Sequence, residues 1–121
     1  MSTKHKIKVY GIPNCQSVKK ARTWIEERGL EYEFHDFKKA GVPLSALKQW
    51  VKVMGWEVVL NKKGTTWRQL PQSEQSLVQD AQSAIQAMSL HPSLINRPVV
   101  EVEPKHLVIG VNPEEWTNVM L

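Results

Sequence analysis

The chain has 121 residues, 41% hydrophobic and 23% charged, a balance and length that suit a single globular domain with a core that needs no disulfide staples. No run approaches the ~18 apolar residues of a membrane span. The formal charge of +4 is spread over single residues and the doublets Lys19-Lys20, Lys38-Lys39 and Lys62-Lys63; nucleic-acid modules carry a denser stripe, so a small anion is the better-matched partner.

In chain order, Met1-Ser2-Thr3-Lys4-His5-Lys6 is basic but leads into a short alternating run, not the apolar stretch of a secretory leader. Ile7, Val9 and the turn residue Gly11, within Lys6 to Ile12, predict a first strand, which Pro13-Asn14 breaks. From Cys15 to Arg28 the apolar residues Val18, Ala21 and Ile25 recur at helical spacing, and Gly29 sits at the stop. Glu31 to Phe37 alternates again, with Tyr32 and Phe34 on one face, and predicts a second strand. Strand, helix and strand in so short a span favour parallel pairing with a right-handed crossover.

The middle differs in kind. Pro43 opens a segment with Leu44, Leu47, Val51 and Met54 on one helical face, ending at Gly55. A long helical pattern runs through Leu77, Val78, Ala81, Ala84, Ile85 and Met88. Between them, Trp56 to Leu60 and Thr65 to Leu70 predict short helical turns around the Asn61-Lys62-Lys63-Gly64 break. Val99 to Glu103 and His106 to Val111, joined by Pro104-Lys105, predict an antiparallel hairpin, and Pro113 starts a terminal helix with Trp116, Val119 and Met120. The expected order is β-α-β, helical insert, β-β-α. Residues 1–121 are expected to form one α/β domain on a four-stranded mixed sheet, with a mostly helical insert at about 43–95.

The chain has one cysteine, so no internal disulfide can form. With no secretory leader expected, this points to a reducing, cytoplasmic setting. A lone cysteine is often just a small buried hydrophobe, but position argues otherwise here. Cys15 follows a strand and a Gly11-x-Pro13 turn, with Asn14 suited to capping the helix and Cys15 at or near its first residue. Unpaired amides and the positive end of the helix dipole favour an anion there, and a thiolate is one. A free thiol is only about 3% ionised at pH 7, and a drop of two pKa units takes about 2.7 kcal/mol. The dipole supplies about 0.3–1 kcal/mol at an exposed site, so amide hydrogen bonds and a cation must supply the rest. Lys19, one turn on along the same face, is the candidate cation. Lys20 and Arg22 are near in sequence, and all three also fit a solvated helix surface.

A second feature is Asn96-Arg97-Pro98-Val99-Val100, which sets a proline at the mouth of the third strand. A proline there costs the sheet nothing. Periodicity does not separate that arrangement from a cis Arg97–Pro98 peptide, a form taken by about 5–6% of X–Pro bonds.

Taken together, Tyr10-Gly11-Ile12-Pro13-Asn14-Cys15 leading into Val18-Lys19-Lys20-Ala21, then Asn96-Arg97-Pro98, then Ile109-Gly110-Val111, resemble the ArsC/Spx (arsenate-reductase-like) family, and within it the small YffB-like branch. The resemblance runs in order over roughly Lys6 to Leu121. It implies a thioredoxin-like fold carrying a helical insert, a helix-N-terminal cysteine beside a cis-proline loop, and thiol chemistry that often uses glutathione. Cys15 matches the family's nucleophile, and Arg97 matches the arginine that helps hold an oxyanion near the sulfur in arsenate-reducing members. Other features depart from the pattern. Arsenate reductases of this type resemble His-Asn-Pro-x-Cys-Gly-Thr-Ser-Arg at the nucleophile, whereas Gln16-Ser17-Val18-Lys19 follows Cys15 and no histidine precedes it. The family's further anion-binding arginine is replaced in its neighbourhood by Leu60-Asn61-Lys62-Lys63, and Arg68 nearby is not its equivalent. Spx-type switches use Cys-x-x-Cys, and here Val18 fills the second place.

The resulting expectation is a monothiol reductase. Cys15 is its catalytic residue, and Asn14, Lys19, Arg97 and Pro98 are its binding residues. Glutathione is the co-substrate that resolves a mixed disulfide, and no bound cofactor or metal is expected. A glutathionylated or disulfide substrate is the expected partner, with glutaredoxin as a further one; nucleic acid and membrane are not expected. The alternatives are a glutathione- and glutaredoxin-dependent arsenate reductase and a non-catalytic, Spx-like regulator of RNA polymerase. His5, His35, His91 and His106 lack ligand spacing and read as surface or structural. The tryptophans at 24, 50, 56, 67 and 116 fall mostly in helical patterns and read as packing. Lys62-Lys63-Gly64-Thr65 lacks the setting of a phosphate loop.

Overall fold

A computed structural model describes residues 6–121; His5 lies outside the described residues. The chain divides into two compact units, one of Met1–Ala40 with Arg97–Leu121 and one of Gly41–Asn96.

The first unit holds a four-stranded mixed sheet of order β2-β1-β3-β4, formed by β1 (Ile7–Gly11), β2 (Glu33–Asp36), β3 (Val99–Val102) and β4 (His106–Ile109). β1 pairs parallel with β2 and antiparallel with β3, and β3 and β4 form the expected hairpin. With α1 (Gln16–Glu27) between the first two strands and α8 (Pro113–Met120) after the last, this is the β-α-β and β-β-α frame of a thioredoxin-like α/β fold. Alternation decides the faces. Ile7, Val9, Val100, Val102 and Val108 join Ala21 and Ile25 of α1 and Trp116 and Met120 of α8 in one buried cluster, with Trp24, Leu30, Tyr32 and Phe34 packed against it. The other face carries Tyr10, whose ring lies 5.2 Å from that of His35 and 6.3 Å from that of Phe37. The Tyr10 hydroxyl donates to Glu101 Oε1 at 2.8 Å.

α1 ends as Gly29 predicts. Gly29 adopts φ +67°, its N–H reaches Glu26 O at 3.0 Å, and Leu30 N–H reaches Ile25 O at 3.3 Å. This is the double bond pattern of a left-handed helix stop, closed by the apolar Leu30 and Ile25. α8 begins with Asn112, whose side chain accepts from Glu115 N, followed by Pro113 and two first-turn acids, all of which suit a helix start.

Two expectations are corrected in this unit. The second strand is shorter than Glu31 to Phe37: Phe37 begins the helical turn α2 (Phe37–Ala40), because the Asp36 carboxylate accepts from Lys38 N–H at 2.8 Å and draws the backbone out of the ladder. Asn14 does not cap α1; the N-cap is Cys15.

The second unit is helical: α3 (Leu44–Met54), α4 (Trp56–Val59), α5 (Thr65–Gln69), α6 (Gln72–Gln75), α7 (Ala81–Leu90) and a 3₁₀ turn at Pro92–Leu94. Leu47, Trp50, Val51, Val59, Ala84, Met88, Leu94 and Ile95 are buried. Leu44, expected on the buried face, is 49% exposed, since it is the first residue after the Pro43 cap. Leu77 and Val78 precede α7 rather than belong to it, and Leu77 is 69% exposed. Asp80 sets the start instead: its carboxylate accepts from Ser83 N at 2.9 Å, and Ser83 Oγ accepts from Asp80 N at 3.1 Å, a reciprocal cap. Among the described residues no helix is long and apolar enough to cross a membrane.

Candidate thiol site

Gly11 closes β1, and the next four residues turn the chain into α1. Cys15 N–H bonds to Ile12 O at 3.2 Å, so Ile12–Pro13–Asn14–Cys15 is a β-turn with proline at its second position, where its fixed φ is favoured. Asn14 is the third residue of that turn and is exposed, which leaves the capping position to Cys15. Cys15 is extended (φ −90°, ψ 128°), and its carbonyl accepts the first helical bond from Lys19 N–H at 2.9 Å.

This helix start lacks the side-chain cap that α7 and α8 both carry. The Cys15 side chain makes no capping hydrogen bond, and no acid stands in the first turn. The amides of Gln16, Ser17 and Val18 have no acceptor among the described residues. The dipole and the unpaired donors are therefore left for an anion. Cys15 is half-buried with a free thiol, neither sealed in the core nor wholly in water.

The helix is pressed hard against the strand it follows. A Cβ built on Gly11 would stand 2.5 Å from Val18 Cγ2, and Val18 is completely buried. Only glycine allows the first turn of α1 to lie this close to the end of β1.

Strand register brings the second feature to the same place. Tyr10 pairs with Val99, so the end of β1 adjoins the beginning of β3, where Arg97 and Pro98 stand. The Arg97–Pro98 peptide is cis; Glu103–Pro104, in the hairpin turn, is cis as well. Pro98 is buried, and its carbonyl accepts from Gly110 N–H at 2.9 Å, which ties the loop to the end of β4. Arg97 is half-exposed, with no hydrogen bond to its guanidinium among the described residues. Lys19 is exposed one turn into α1. Cys15, Lys19, Arg97 and Pro98 therefore stand at the same end of the sheet's central strands, while Asn14 lies in the turn beside them.

The remaining candidates lie elsewhere. His35 stacks on Tyr10 and Phe37, His91 follows the last residue of α7, and His106 is exposed on β4. In the second unit, the Lys62 ammonium lies over the rings of Trp56 and Trp67, at 5.2 and 5.3 Å. Trp50 and Trp116 are buried as packing residues. Sequence patterns do not reveal a groove of about 440 Å³ along α1, lined by Gln16, Lys19, Lys20, Trp24, Glu27 and Trp116 among others.

The ArsC family model matches residues 10–119. Among curated proteins, one from Haemophilus influenzae is 38% identical over 91% of this chain and 95% of its own length. The global transcriptional regulator Spx of Listeria innocua is 25% identical over 90% of this chain and 82% of its own. Among solved structures, a YffB protein is 36% identical with a TM-score of 0.90, covering 96% of this chain and all of its own. An arsenate reductase (ArsC) related protein from Brucella melitensis is 41% identical with a TM-score of 0.74, covering 98% and 97%.

Proposed function

The chain belongs to the ArsC family, and we propose that within it the protein is a glutathione-dependent monothiol reductase whose nucleophile is Cys15. The observation that carries this reading is the position of the cysteine. It is a half-exposed thiol at the N-cap of a helix, where it makes no capping hydrogen bond and the leading amides are unpaired among the described residues. Such amides stabilise a thiolate in the ground state and the partial charge on sulfur during exchange.

The chemistry is thiol–disulfide exchange. The Cys15 thiolate attacks the glutathione sulfur of a mixed disulfide. A bond forms between Cys15 and glutathione, the substrate's own S–S bond breaks, and the substrate leaves as a thiolate that takes a proton from water. Because the chain has one cysteine, a second glutathione must then attack that adduct. This releases oxidised glutathione and regenerates the Cys15 thiolate. Arg97 and Lys19 hold glutathione carboxylates, Arg97 by a fork suited to them. The buried Pro98 fixes the loop from which Arg97 projects.

Mass spectrometry after treatment with oxidised glutathione tests the proposal. One glutathione adduct is expected on the native chain and none on Cys15→Ser; an unmodified native chain refutes it. The relationship to Spx favours a second reading, a binding module that contacts RNA polymerase. Capture of polymerase from lysate, undiminished by Cys15→Ser, supports that reading over catalysis. Arsenate reduction is the reading suited to the relative from Brucella. It predicts arsenate-dependent NADPH consumption in an assay coupled through glutathione and glutaredoxin.

A further inference from the structure

Asn96 stands immediately before Arg97 and the buried Pro98, and the thiol chemistry alone gives it no task. Its hydrogen bonds do. α4 is a single turn, Trp56–Val59, so its last carbonyls lack partners within the helix. Asn96 satisfies two of them. Its backbone N–H donates to Val59 O at 2.8 Å, and its side-chain Nδ2 donates to Val58 O at 2.8 Å. The residues before it continue the pairing: Leu60 and Ile95 form an antiparallel bridge, and Asn61 N–H donates to Leu94 O at 2.7 Å. Leu60, Leu94 and Ile95 are buried. Asn96 is thus the last residue of an anchored segment.

Restraints of another kind act on the far side of Arg97. Pro98 O accepts from Gly110 N–H at 2.9 Å, and a proline confines the backbone of the residue before it to extended conformations. Arg97 is therefore the single residue between two hydrogen-bonded neighbours, while its own guanidinium has no partner among the described residues. From these observations we infer that Asn96 is a positioning residue for Arg97. Its side-chain bond to Val58 O holds the main chain from which Arg97 projects, so the guanidinium meets a glutathione carboxylate without first ordering its own backbone, a cost that binding would otherwise carry. The inference rests on the thiol-exchange reading and adds to it a residue that acts through another.

The side-chain chemistry suits that task. A carbonyl accepts and cannot donate, so the amide nitrogen is the end of Asn96 that must face Val58 O. Asn96→Ala removes the donor, and Asn96→Asp keeps the shape but sets a second acceptor against the carbonyl. The backbone bond to Val59 O survives either change. The side-chain bond lies at the surface, where water takes over the carbonyl once the donor is gone. Its loss frees the chain before Arg97 and leaves the buried Leu60, Leu94 and Ile95 in place.

The test uses the full chain and two readouts. By nitrogen-15 relaxation, the Arg97 amide of the native protein should give the order parameter of rigid backbone, about 0.85, and in Asn96→Ala it should fall towards the flexible range below about 0.6. Val99 and Val100 should keep their values, and circular dichroism should be unchanged. The second readout is turnover of the mixed disulfide of glutathione and 2-mercaptoethanol. KM should rise about fivefold in Asn96→Ala, the equivalent of one hydrogen bond, with kcat unchanged, and Asn96→Asp should do no better. In the Arg97→Ala background, Asn96→Ala should leave KM where it is, an outcome that a general loosening of the fold would not give. An unaltered Arg97 order parameter, an unchanged KM in Asn96→Ala, or an equal rise in KM in both backgrounds overturns the inference while leaving the thiol chemistry intact. A native chain that shows the expected order parameters yet does not turn over the mixed disulfide refutes the thiol-exchange reading instead.

Discussion

Replacing Gly11 with alanine should destabilise the native chain yet stabilise the chain that carries Val18→Ala. The new methyl group would stand 2.5 Å from Val18 Cγ2. Ordinary carbon contacts lie at about 3.5–4.0 Å, so strand and helix must separate by about 1 Å. Val18 cannot swing away, because it is completely buried and a β-branched side chain in a helix has essentially one rotamer. Overpacking of this kind costs about 1–3 kcal/mol. Against it stands the smaller conformational freedom of alanine in the unfolded chain, worth about 0.4–1 kcal/mol in favour of folding. The net expected loss is about 1–2 kcal/mol. In the Val18→Ala background the nearest remaining atom is Cβ at 3.5 Å, an ordinary contact. Only the chain-entropy term is then left, and the sign reverses. Urea denaturation of the four proteins closes the cycle, with a coupling of about 1–3 kcal/mol and unchanged denaturant slopes. Equal effects of Gly11→Ala in both backgrounds would refute the idea that this one contact sets the distance between strand and helix. Because Val18 is the third residue of α1, the single variant should also form the glutathione adduct at Cys15 more slowly.

Three further outcomes follow from other contacts. The Asp80 carboxyl is held below its ordinary value by the amide and then the hydroxyl of Ser83. Its contribution to stability is therefore complete above the unfolded carboxyl value near 4 and is lost as pH falls through the lower folded value. The melting-point gap between the native chain and Asp80→Ala should be largest at neutral pH and close towards pH 2. Tyr10 is pushed above the ordinary phenol value of 10.0 by burial and then by its bond to Glu101, and Tyr32 is raised chiefly by burial. The folded state thus keeps phenolic protons that the unfolded state gives up, so stability should fall as pH rises past about 10. Ultraviolet titration of the folded chain should show less than half of the tyrosinate signal at pH 10; a half-complete transition there would contradict the described packing. Arg97→Ala should raise KM for a glutathione disulfide about tenfold, the loss of one charge-assisted bond. Arg97→Lys should recover only part of it, since an ammonium lacks the planar fork, and no change in KM would remove Arg97 from the site.

Much of the fold was legible because its signals are local. Alternation in Ile7–Val9 and Val99–Val102, the 3.6-residue recurrence of Val18, Ala21 and Ile25, and Gly29 at the helix stop each name an element and its buried face. What was missed follows from side chains bonding to nearby backbone. Asp36 ends β2 early, Asp80 with Ser83 starts α7 later than the apolar pattern suggests, and Pro13 spends Asn14 on a turn. α6, Gln72–Gln75, carries no apolar stripe, so periodicity is silent about it. Cys15 itself was legible from Pro13 before it and the amphipathic run after it, although its rank as N-cap was not. Its nearness to Arg97 rests on strand register between residues more than eighty positions apart, which no local pattern encodes. The groove along α1 needs α8 beside it and was equally invisible.

The order of the strands has a consequence for how the protein is made. β1, in the middle of the sheet, finds β2 within the first forty residues, but its other neighbour begins only at Val99. Tyr10 and Glu101, which bond across that seam, are 91 positions apart; closing such a loop costs about 4 kcal/mol of chain entropy. While the ribosome is still adding the last fifth of the chain, β1 presents an open backbone edge flanked by Ile7, Val9 and Tyr10, a template for pairing with another nascent chain. Stalling or truncation before Val99 should therefore leave an aggregation-prone fragment, not a smaller folded protein.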